Sequence, residues 1–139
     1  MKLTSNWVSG FVDGGGCFHV RHFRISQIQP EFTIVQKTSN VKVLYGLKSF
    51  FGCGTVRRSK LNLWVYRVRK RSELLDKIIP FFDKYSLKTH KKVDFIRFRW
   101  IIIQLDRGNH LTPEGLKYIL RVISLMNTNK LNWKSNTFR

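Results

Sequence analysis

The sequence predicts an α+β fold in which helices back one four-stranded antiparallel sheet. A helix followed by two strands occurs twice along the chain, further helices follow, and no linker or low-complexity segment interrupts this order. With 139 residues, of which 42% are hydrophobic, the chain can bury a substantial core. We therefore interpret residues 1–139 as a single domain, which excludes a disordered tail and a two-domain enzyme.

The first helix-strand-strand unit lies in the first 37 residues. Residues 4–6 (Thr-Ser-Asn) offer caps for a short helix, and three consecutive glycines at 14–16 predict its end. Residues 17–26 and 30–37 alternate between apolar and polar side chains, so they predict two strands.

The second unit repeats this pattern. Asn40 is a predicted cap for a helix at 41–51 that Gly52 closes, and residues 55–59 and 62–70 predict a hairpin.

Helices then complete the chain. Ser72 is a predicted cap for a helix at 73–82 that bends at Pro80. Residues 88–105 and 112–127 have helical periodicity, and the second of these opens with Thr-Pro-Glu, a cap followed by proline at the first helical position.

Positive charge is concentrated on the sheet half. The chain carries 26 Lys+Arg and 8 Asp+Glu, a formal charge of +18, and twelve of the basic residues lie between Cys17 and Arg71 against Glu31 alone, a net +11. Such a charge opposes compaction unless a polyanion is bound, so nucleic acid is the predicted partner. A membrane is not, because the sequence has neither a spanning stretch of about 20 apolar residues nor a polybasic run beside an amphipathic face.

Cys17 and Cys53 are isolated and belong to no C-x-x-C pair, so they predict free thiols. His19 and His22 lie near Cys17, but on a strand His22 points to the opposite face. The sequence therefore predicts no metal cluster.

Residues 7–18, Trp-Val-Ser-Gly-Phe-Val-Asp-Gly-Gly-Gly-Cys-Phe, resemble the signature of the LAGLIDADG homing endonucleases, W-[LV]-[AS]-G-F-x-D-G-[DE]-G-x-F. Shorter segments resemble the same family in the same order, at 36–38, 48–54, 79–85, 87–89 and 110–116. The resemblance spans residues 6–127. It implies an αββαββα fold whose saddle-shaped sheet holds nucleic acid and whose first helix packs against the same helix of a second unit, as in a homodimer.

The resemblance also implies the site residues. Packing of the motif helix involves Val8, Ser9, Gly10 and Asp13, with Ser9 and Gly10 as the small residues between two units. The register of the motif predicts that the ligand is faced by His19, Arg21, Phe23, Glu31, Thr33, Thr55, Arg57, Ser59, Asn62, Trp64 and Tyr66. Further nucleic-acid contacts are predicted for Lys37, Arg58, Arg67, Arg69 and Lys88.

The chain departs from the family pattern at Gly15. In the family, the acidic residue at this position binds the catalytic divalent cation, and Gly15 has no carboxylate. Asp13 lies two helical positions earlier, which turns its side chain by about 200°. Gln36 and Lys88 match active-site positions of the family, a water-positioning polar group and a basic group near the phosphate. A strand-end role for Gln36 and a capping role for Lys88 are equally open. We therefore predict no functional catalytic residue, no metal and no cofactor; Mg²⁺ is expected only for an endonuclease.

The predicted function is a catalytically inactive protein that binds structured organellar RNA, either ribosomal RNA or a group I intron, in a mitochondrion or chloroplast. RNA is favoured over DNA because binding a DNA site without cutting it has no evident biochemical output, whereas holding RNA structure does. Phe23, Trp64 and Tyr66 could also stack on unpaired bases, unless Trp64 and Tyr66 belong to the core. Its partners would be a ribosome or an intron ribonucleoprotein. A non-cleaving DNA binder is one alternative. The other is an intron-encoded homing endonuclease that cleaves double-stranded DNA as a dimer with a divalent metal.

Overall fold

A computed structural model describes the backbone of residues 2–24 and 27–137 and the side chains of residues 2–23 and 27–126. The first half contains α1 (Ser5–Gly15), β1 (Gly16–Arg24), β2 (Gln27–Lys37), α2 (Val41–Phe51), β3 (Thr55–Lys60) and β4 (Leu63–Val68). The second half is helical, with α3 (Arg71–Glu73), a π-helical turn (Leu74–Ile78), α4 (Ile79–Lys84), α5 (Lys91–Asp106) and α6 (Pro113–Thr137). The predicted residues 25 and 26 of the first strand lie outside the described residues.

The four strands form one antiparallel sheet in the order β1-β2-β4-β3. Each helix-strand-strand unit contributes one hairpin, and the second strands of the two hairpins, β2 and β4, pair at the centre. The helices cover one face of this sheet. The predicted α+β class and the αββαββ order are confirmed.

Helix α1 begins and ends with sequence-specific contacts. The Thr4 hydroxyl accepts a hydrogen bond from the Trp7 backbone N–H at 3.3 Å, so Thr4 is the cap. The helix continues through Gly14 and Gly15, so the prediction that the three glycines would stop it was too early by two residues. A Cβ at Gly16 would lie 2.7 Å from Val12 Cγ1, and this close approach requires glycine.

Helix α2 follows a short 3₁₀ turn at Thr38–Asn40 and ends at Gly52, which has a left-handed conformation (φ 70°). The Gly52 N–H donates to Lys48 O at 2.9 Å, as expected for a C-terminal glycine. Asn40 occupies the N-cap position of α2, as predicted, but its side chain makes no capping hydrogen bond. The Asn40 Nδ2 group donates instead to Gln36 Oε1 at 3.4 Å. A 3₁₀ turn, and not a capping side chain, directly precedes α2.

The predicted cap at Ser72 is wrong. The helix starts at Arg71, and the Leu74 N–H already donates to Lys70 O at 3.0 Å, so Ser72 lies within the first turn. A π-helical turn at Leu74–Ile78 precedes Pro80. Proline has no N–H and its ring disturbs the preceding helical turn, so the wider turn, rather than a simple bend, accommodates it.

Helix α6 starts as predicted. The Thr112 hydroxyl accepts a hydrogen bond from the Gly115 N–H at 3.1 Å, and Pro113 occupies the first helical position. The helix is longer than its sequence pattern indicates and reaches Thr137. Among the described residues, no helix combines the length and apolarity needed to cross a membrane.

Aromatic side chains join the sheet to the helices. Phe18 of β1 lies 5.0 Å from Phe32 of β2, between ring centroids, and 5.5, 5.3 and 5.2 Å from Phe82, Phe95 and Phe98 of the helices. All five rings are buried. Edge-to-face and offset contacts of this kind add to the free energy gained from burying the rings.

Tyr66 belongs to this core, so its predicted place on the ligand-facing surface is wrong. Its side chain is fully buried, its ring lies 6.4 Å from those of Phe32 and Phe51, and its hydroxyl donates to Cys53 O at 2.8 Å. Burial raises the pKa of the Tyr66 hydroxyl far above its usual value, so Tyr66 stays a neutral donor. Trp64 lies on the same face of β4 and is half-buried against the core.

Tyr66→Phe should lower the free energy of unfolding by about 1–2 kcal/mol, because the Cys53 carbonyl loses its donor within the core. Affinity for nucleic acid should stay unchanged. Denaturant unfolding and filter binding measure the two effects. If the variant instead had wild-type stability but bound nucleic acid more weakly, Tyr66 would be a binding residue and not a core residue.

Candidate nucleic-acid interface

The sheet face opposite the helices carries the basic side chains, and we call it the open face. Residues paired across antiparallel strands share a face, and His19 pairs with Glu31, Thr33 with Arg67, and Val65 with Arg57. The open face therefore consists of Cys17, His19, Arg21 and Phe23 on β1, Gln29, Glu31, Thr33, Val35 and Lys37 on β2, Thr55 and Arg57 on β3, Leu63, Val65 and Arg67 on β4, and Arg69 just after β4.

Most of the predicted contact residues lie on the open face, but six do not: Lys88, which lies in the loop before α5, and the five residues described next. Trp64 and Tyr66 point to the helices, and Arg58, which pairs with Trp64, shares their side of the sheet. Asn62 lies in the turn between β3 and β4, and Ser59 lies at a register irregularity between Arg58 and Lys60.

Sequence reasoning missed Val35, Leu63 and Val65 as members of the open face. The signal was present, because side chains alternate along a strand. Once Arg67 is assigned to the open face, Val65 must share it and Tyr66 must face the other way.

Glu31 lies beneath four basic side chains at the centre of the open face. Its carboxylate oxygens are 2.6 Å from Arg69 Nε, 3.4 Å from His19 Nε2, 3.6 Å from Arg67 Nε and 3.7 Å from Arg21 Nη1. The Glu31 side chain is 1% exposed, whereas those of the three arginines are 31–45% exposed. One buried carboxylate thus lies under a layer of half-exposed guanidinium groups.

Asp13, near the end of α1, fixes the loop that precedes α5. Its carboxylate accepts hydrogen bonds from the backbone N–H of Lys88 (2.7 Å) and from the backbone N–H and hydroxyl of Thr89 (3.0 and 2.7 Å). Burial raises the pKa of the Asp13 carboxyl, but these bonds and the charge of Lys91 outweigh burial and lower it below its usual range. Asp13 is therefore a structural acceptor for the loop that carries Lys88.

Helix α1 divides its residues between the core and the surface. Val8 is fully buried, and the Ser9 hydroxyl donates to Tyr85 O at 3.0 Å, so neither is available to a second unit. The prediction of Ser9 as a contact between units is therefore wrong. The exposed side of the helix carries Trp7, stacked on Phe11 at 4.9 Å between ring centroids, and the side-chain-free positions Gly10 and Gly14.

A family model described as LAGLIDADG endonuclease matches residues 8–102, which include most of α1, the whole sheet and most of α5. The chain belongs to this family. The resemblance stated from the motif is confirmed.

The LAGLIDADG chain is similar to proteins from fungal introns and to solved homing endonucleases. It is 30% identical over 118 residues to the "Probable intron-encoded endonuclease 2" of Neurospora crassa, which covers 84% of this chain and 26% of that protein. With the "Probable intron-encoded endonuclease Cox1-I1b" of Schizosaccharomyces pombe it shares 34% identity over 110 residues, covering 76% and 28%. The chain thus spans about a quarter of the length of these relatives.

Two solved structures show the same fold. The homing endonuclease I-TnaI is 46% identical, with a TM-score of 0.85 over 100% of both chains. I-SmaMI, solved bound to an uncleaved DNA target in the presence of calcium ions, is 33% identical, with a TM-score of 0.83 over 89% of this chain and 45% of that chain. These comparisons contradict the prediction that the chain is not an enzyme, because its relatives are named endonucleases and its structural neighbours are homing endonucleases.

The end of α1 does not complete a divalent-metal site from this chain alone. A Cβ at Gly15 would meet no atom within 4 Å, so the position is open, but it offers no carboxylate. The Asp13 carboxylate is already held by Lys88 and Thr89. Within residues 2–23 and 27–126, no three His, Cys, Asp or Glu side chains are grouped so that they could hold a metal ion. Mg²⁺ requires one or two protein carboxylates, so the residues present do not fit this cation.

Gln36 and Lys88 lie on segments that meet near the end of α1. Ile34 of β2 pairs with Gly16, the first residue after α1. Gln36 lies two residues further along β2, and its Oε1 accepts a hydrogen bond from Asn40 Nδ2. The Lys88 backbone is held by Asp13 while its side chain is exposed. The structure therefore positions the Lys88 ammonium group at the surface through its backbone and leaves it free to meet an anion.

Asp13→Asn should lower the free energy of unfolding by about 1–2 kcal/mol at neutral pH, because the charged acceptor of three hydrogen bonds is lost. The folded-state pKa of Asp13 is lowered, so the carboxylate stabilises the fold above its unfolded pKa of about 3.9, and this contribution is lost as the pH falls through the folded value. Urea unfolding from pH 7 to pH 2 should show the gap between wild type and variant closing below pH about 4.

Asp76→Asn is the control, because it removes an exposed carboxylate in the π-helical turn. A gap between wild type and Asp13→Asn that stays constant down to pH 2 would contradict the assigned role of Asp13.

Proposed function

We propose that the chain is one unit of an intron-encoded endonuclease that binds double-stranded DNA on its open face and pairs with a second unit through α1. The observation that carries this proposal is the open face itself, where Arg21, Arg57, Arg67 and Arg69 project from adjacent strands. The major groove admits a two-stranded β-ribbon, and guanidinium groups bind both phosphates and base edges.

Duplex DNA suits this surface better than unpaired RNA. The stacking argument for RNA depended on Phe23, Trp64 and Tyr66, and of these only Phe23 lies on the open face. Without stacking platforms at the centre of the sheet, the surface offers charge and forked hydrogen-bond donors, which suit paired bases. A ribosome or an intron ribonucleoprotein as partner has no support in the residues of this face.

A second unit fits the exposed side of α1. Gly10 and Gly14 lie one helical turn apart and carry no side chains, so another helix can approach the backbone closely, flanked by Trp7 and Phe11. Two units related in this way present two open faces to one DNA duplex, with the two α1 ends at the centre of the target.

In this arrangement the unit described here supplies DNA binding, Gln36 and Lys88, and the carboxylate comes from the second unit. Lys88, fixed through Asp13, lies where it can bind a phosphate near the α1 ends. The relatives include a protein named for a cox1 intron, which supports a mitochondrial origin. The predicted chloroplast origin has no such support.

Binding should depend strongly on salt. If about six phosphates are neutralised, log K falls with log[salt] at a slope of about −5, measured by filter binding to a duplex. Arg57→Gln should make the slope shallower by about 1, because Arg57 lies on the open face.

Arg58→Gln is the matched control, because Arg58 is the next residue, is equally exposed and lies on the helix side of the sheet. It should leave the slope unchanged. Equal effects of the two variants would show that the open face is not the binding surface.

Cleavage tests the proposal most directly. The DNA sequence that the chain selects from a pool of randomised duplexes is placed in a plasmid, and strand cleavage is followed with Mg²⁺ or Mn²⁺. Gly15→Asp, alone or mixed with the wild-type chain, should raise the cleavage rate by about 100-fold or more, because it adds the missing carboxylate at a position with free space.

Gly15→Asn is the matched control, because it adds a side chain of the same size at the same position without the carboxylate, and it should leave the cleavage rate at the wild-type level. The endonuclease proposal is refuted if the wild type, Gly15→Asp and their mixture all bind the plasmid normally but leave it uncleaved.

A further inference from the structure

Glu31 is the one acidic side chain on the described part of the open face, and it does not reach the surface of that face. Its side chain is 1% exposed, so it cannot donate to or accept from a base edge in a groove. It is buried by the long side chains above it, although a carboxylate is rarely buried without partners. Glu31 must therefore act through the side chains that it contacts.

We infer that Glu31 is a positioning residue for sequence recognition: it holds Arg21, Arg67 and Arg69 so that their free guanidinium edges read guanine in the major groove. This inference rests on the proposed binding of duplex DNA to the open face. It assigns that face a preference for guanine at neighbouring base pairs.

The geometry supports one carboxylate shared among three arginines. Two oxygens offer about four acceptor positions, and Arg69 donates its Nε to Oε1 at 2.6 Å, while Arg67 Nε lies 3.6 Å from Oε2 and Arg21 Nη1 lies 3.7 Å from Oε1. In Arg67 and Arg69 the atom nearest the carboxylate is Nε. In these two residues Nε faces the carboxylate, so the terminal N–H groups are left to bind guanine O6 and N7.

Other residues restrict the same arginines. The Arg21 guanidinium carbon lies 4.7 Å from the centre of the Phe23 ring, and Gln29 Nε2 donates to Arg69 O at 3.0 Å. Arg21, Phe23, Gln29, Glu31 and Arg69 line a depression of about 400 Å³ at this end of the sheet. A base edge that enters the depression meets two arginines whose planes are already set.

Positioning affects specificity more than affinity. An unrestrained arginine binds phosphate in many conformations, but a forked contact with guanine requires one orientation of the guanidinium plane. The negative charge of Glu31 weakens the attraction of the open face for phosphates, so it opposes non-specific binding while it favours the ordered arginines. Removing this charge should therefore change the two kinds of binding in opposite directions.

The experiment compares the full-length wild type, Glu31→Gln and Asp76→Asn. Glu31→Gln keeps the size of the side chain and removes its charge. Asp76→Asn raises the net charge by the same amount at an exposed position in the helical layer. Each protein selects from a pool of duplexes with a randomised central segment, the selected DNA is sequenced, and affinity for an unselected duplex is measured separately.

The wild type and Asp76→Asn should enrich guanine at neighbouring positions in the selected DNA. Glu31→Gln should lose this enrichment by about fivefold or more at those positions, keep the preferences elsewhere, and bind the unselected duplex at least as tightly as the wild type. Circular dichroism and thermal unfolding establish that the variant is folded.

Arg69→Lys and Arg21→Lys provide a second test that keeps Glu31 and all positive charges. Lysine has no planar fork, so each variant should lose guanine enrichment at fewer positions than Glu31→Gln, and its affinity should fall more for the selected duplex than for the unselected duplex. This test applies equally if Glu31→Gln does not fold.

The inference is refuted if Glu31→Gln selects the same sequences as the wild type, or if it weakens binding to selected and unselected duplexes equally, as a purely structural role requires. Unchanged guanine enrichment in both lysine variants also refutes it. A wild-type chain that binds no duplex at low salt would instead refute the proposed function, so the two failures can be distinguished.

Discussion

Aromatic packing beneath the sheet is the interaction on which the rest of the molecule depends. Phe18 and Phe32 contact each other and the rings of α4 and α5, and this buried cluster anchors the central strands from one side only. The opposite face can then carry arginines on adjacent strands, whose mutual repulsion would otherwise separate them. With a formal charge of +18, the chain keeps its shape because hydrophobic burial and charge occupy different faces.

A second constraint connects the motif helix to the helical layer. Asp13 accepts three hydrogen bonds from the loop before α5, and the Ser9 hydroxyl donates to Tyr85 O, so α1 is fixed at two points on its inner side. These polar contacts and the buried Val8 occupy the inner side of α1. The outer side therefore presents the remaining residues, Gly10 and Gly14 beside the stacked aromatic rings. The same short helix thereby serves both the internal fold and the surface offered to a second unit.

Sequence reasoning predicted the elements well because they depend on local signals. Thr4, Gly52 and the Thr-Pro start of α6 act through neighbouring backbone groups, which periodicity and capping rules describe directly. It failed where local rules compete, as at Ser72, where the chain starts the helix earlier.

The assignment of faces could be predicted less well. A strand read one residue out of register exchanges its two faces, and this is how Trp64 and Tyr66 were predicted on the open face. The cluster around Glu31 could not be predicted from spacing, because its members come from three segments that only the pairing of β1, β2 and β4 brings together.

Gly15 shows how binding and cleavage can depend on different parts of the same fold. The open face, the Asp13 contacts and the outer side of α1 are all built from residues whose partners lie elsewhere, and none of them involves a side chain at position 15. Glycine at this helical position costs about 0.5–1 kcal/mol relative to alanine, and no packing contact is lost, because a Cβ there would meet no atom within 4 Å. The missing carboxylate affects the region where, in the proposed pair of units, the two α1 ends would meet the DNA backbone. In the proposed pair of units, both units together would set the number of carboxylates at that point, whereas each open face would bind its own half of the target.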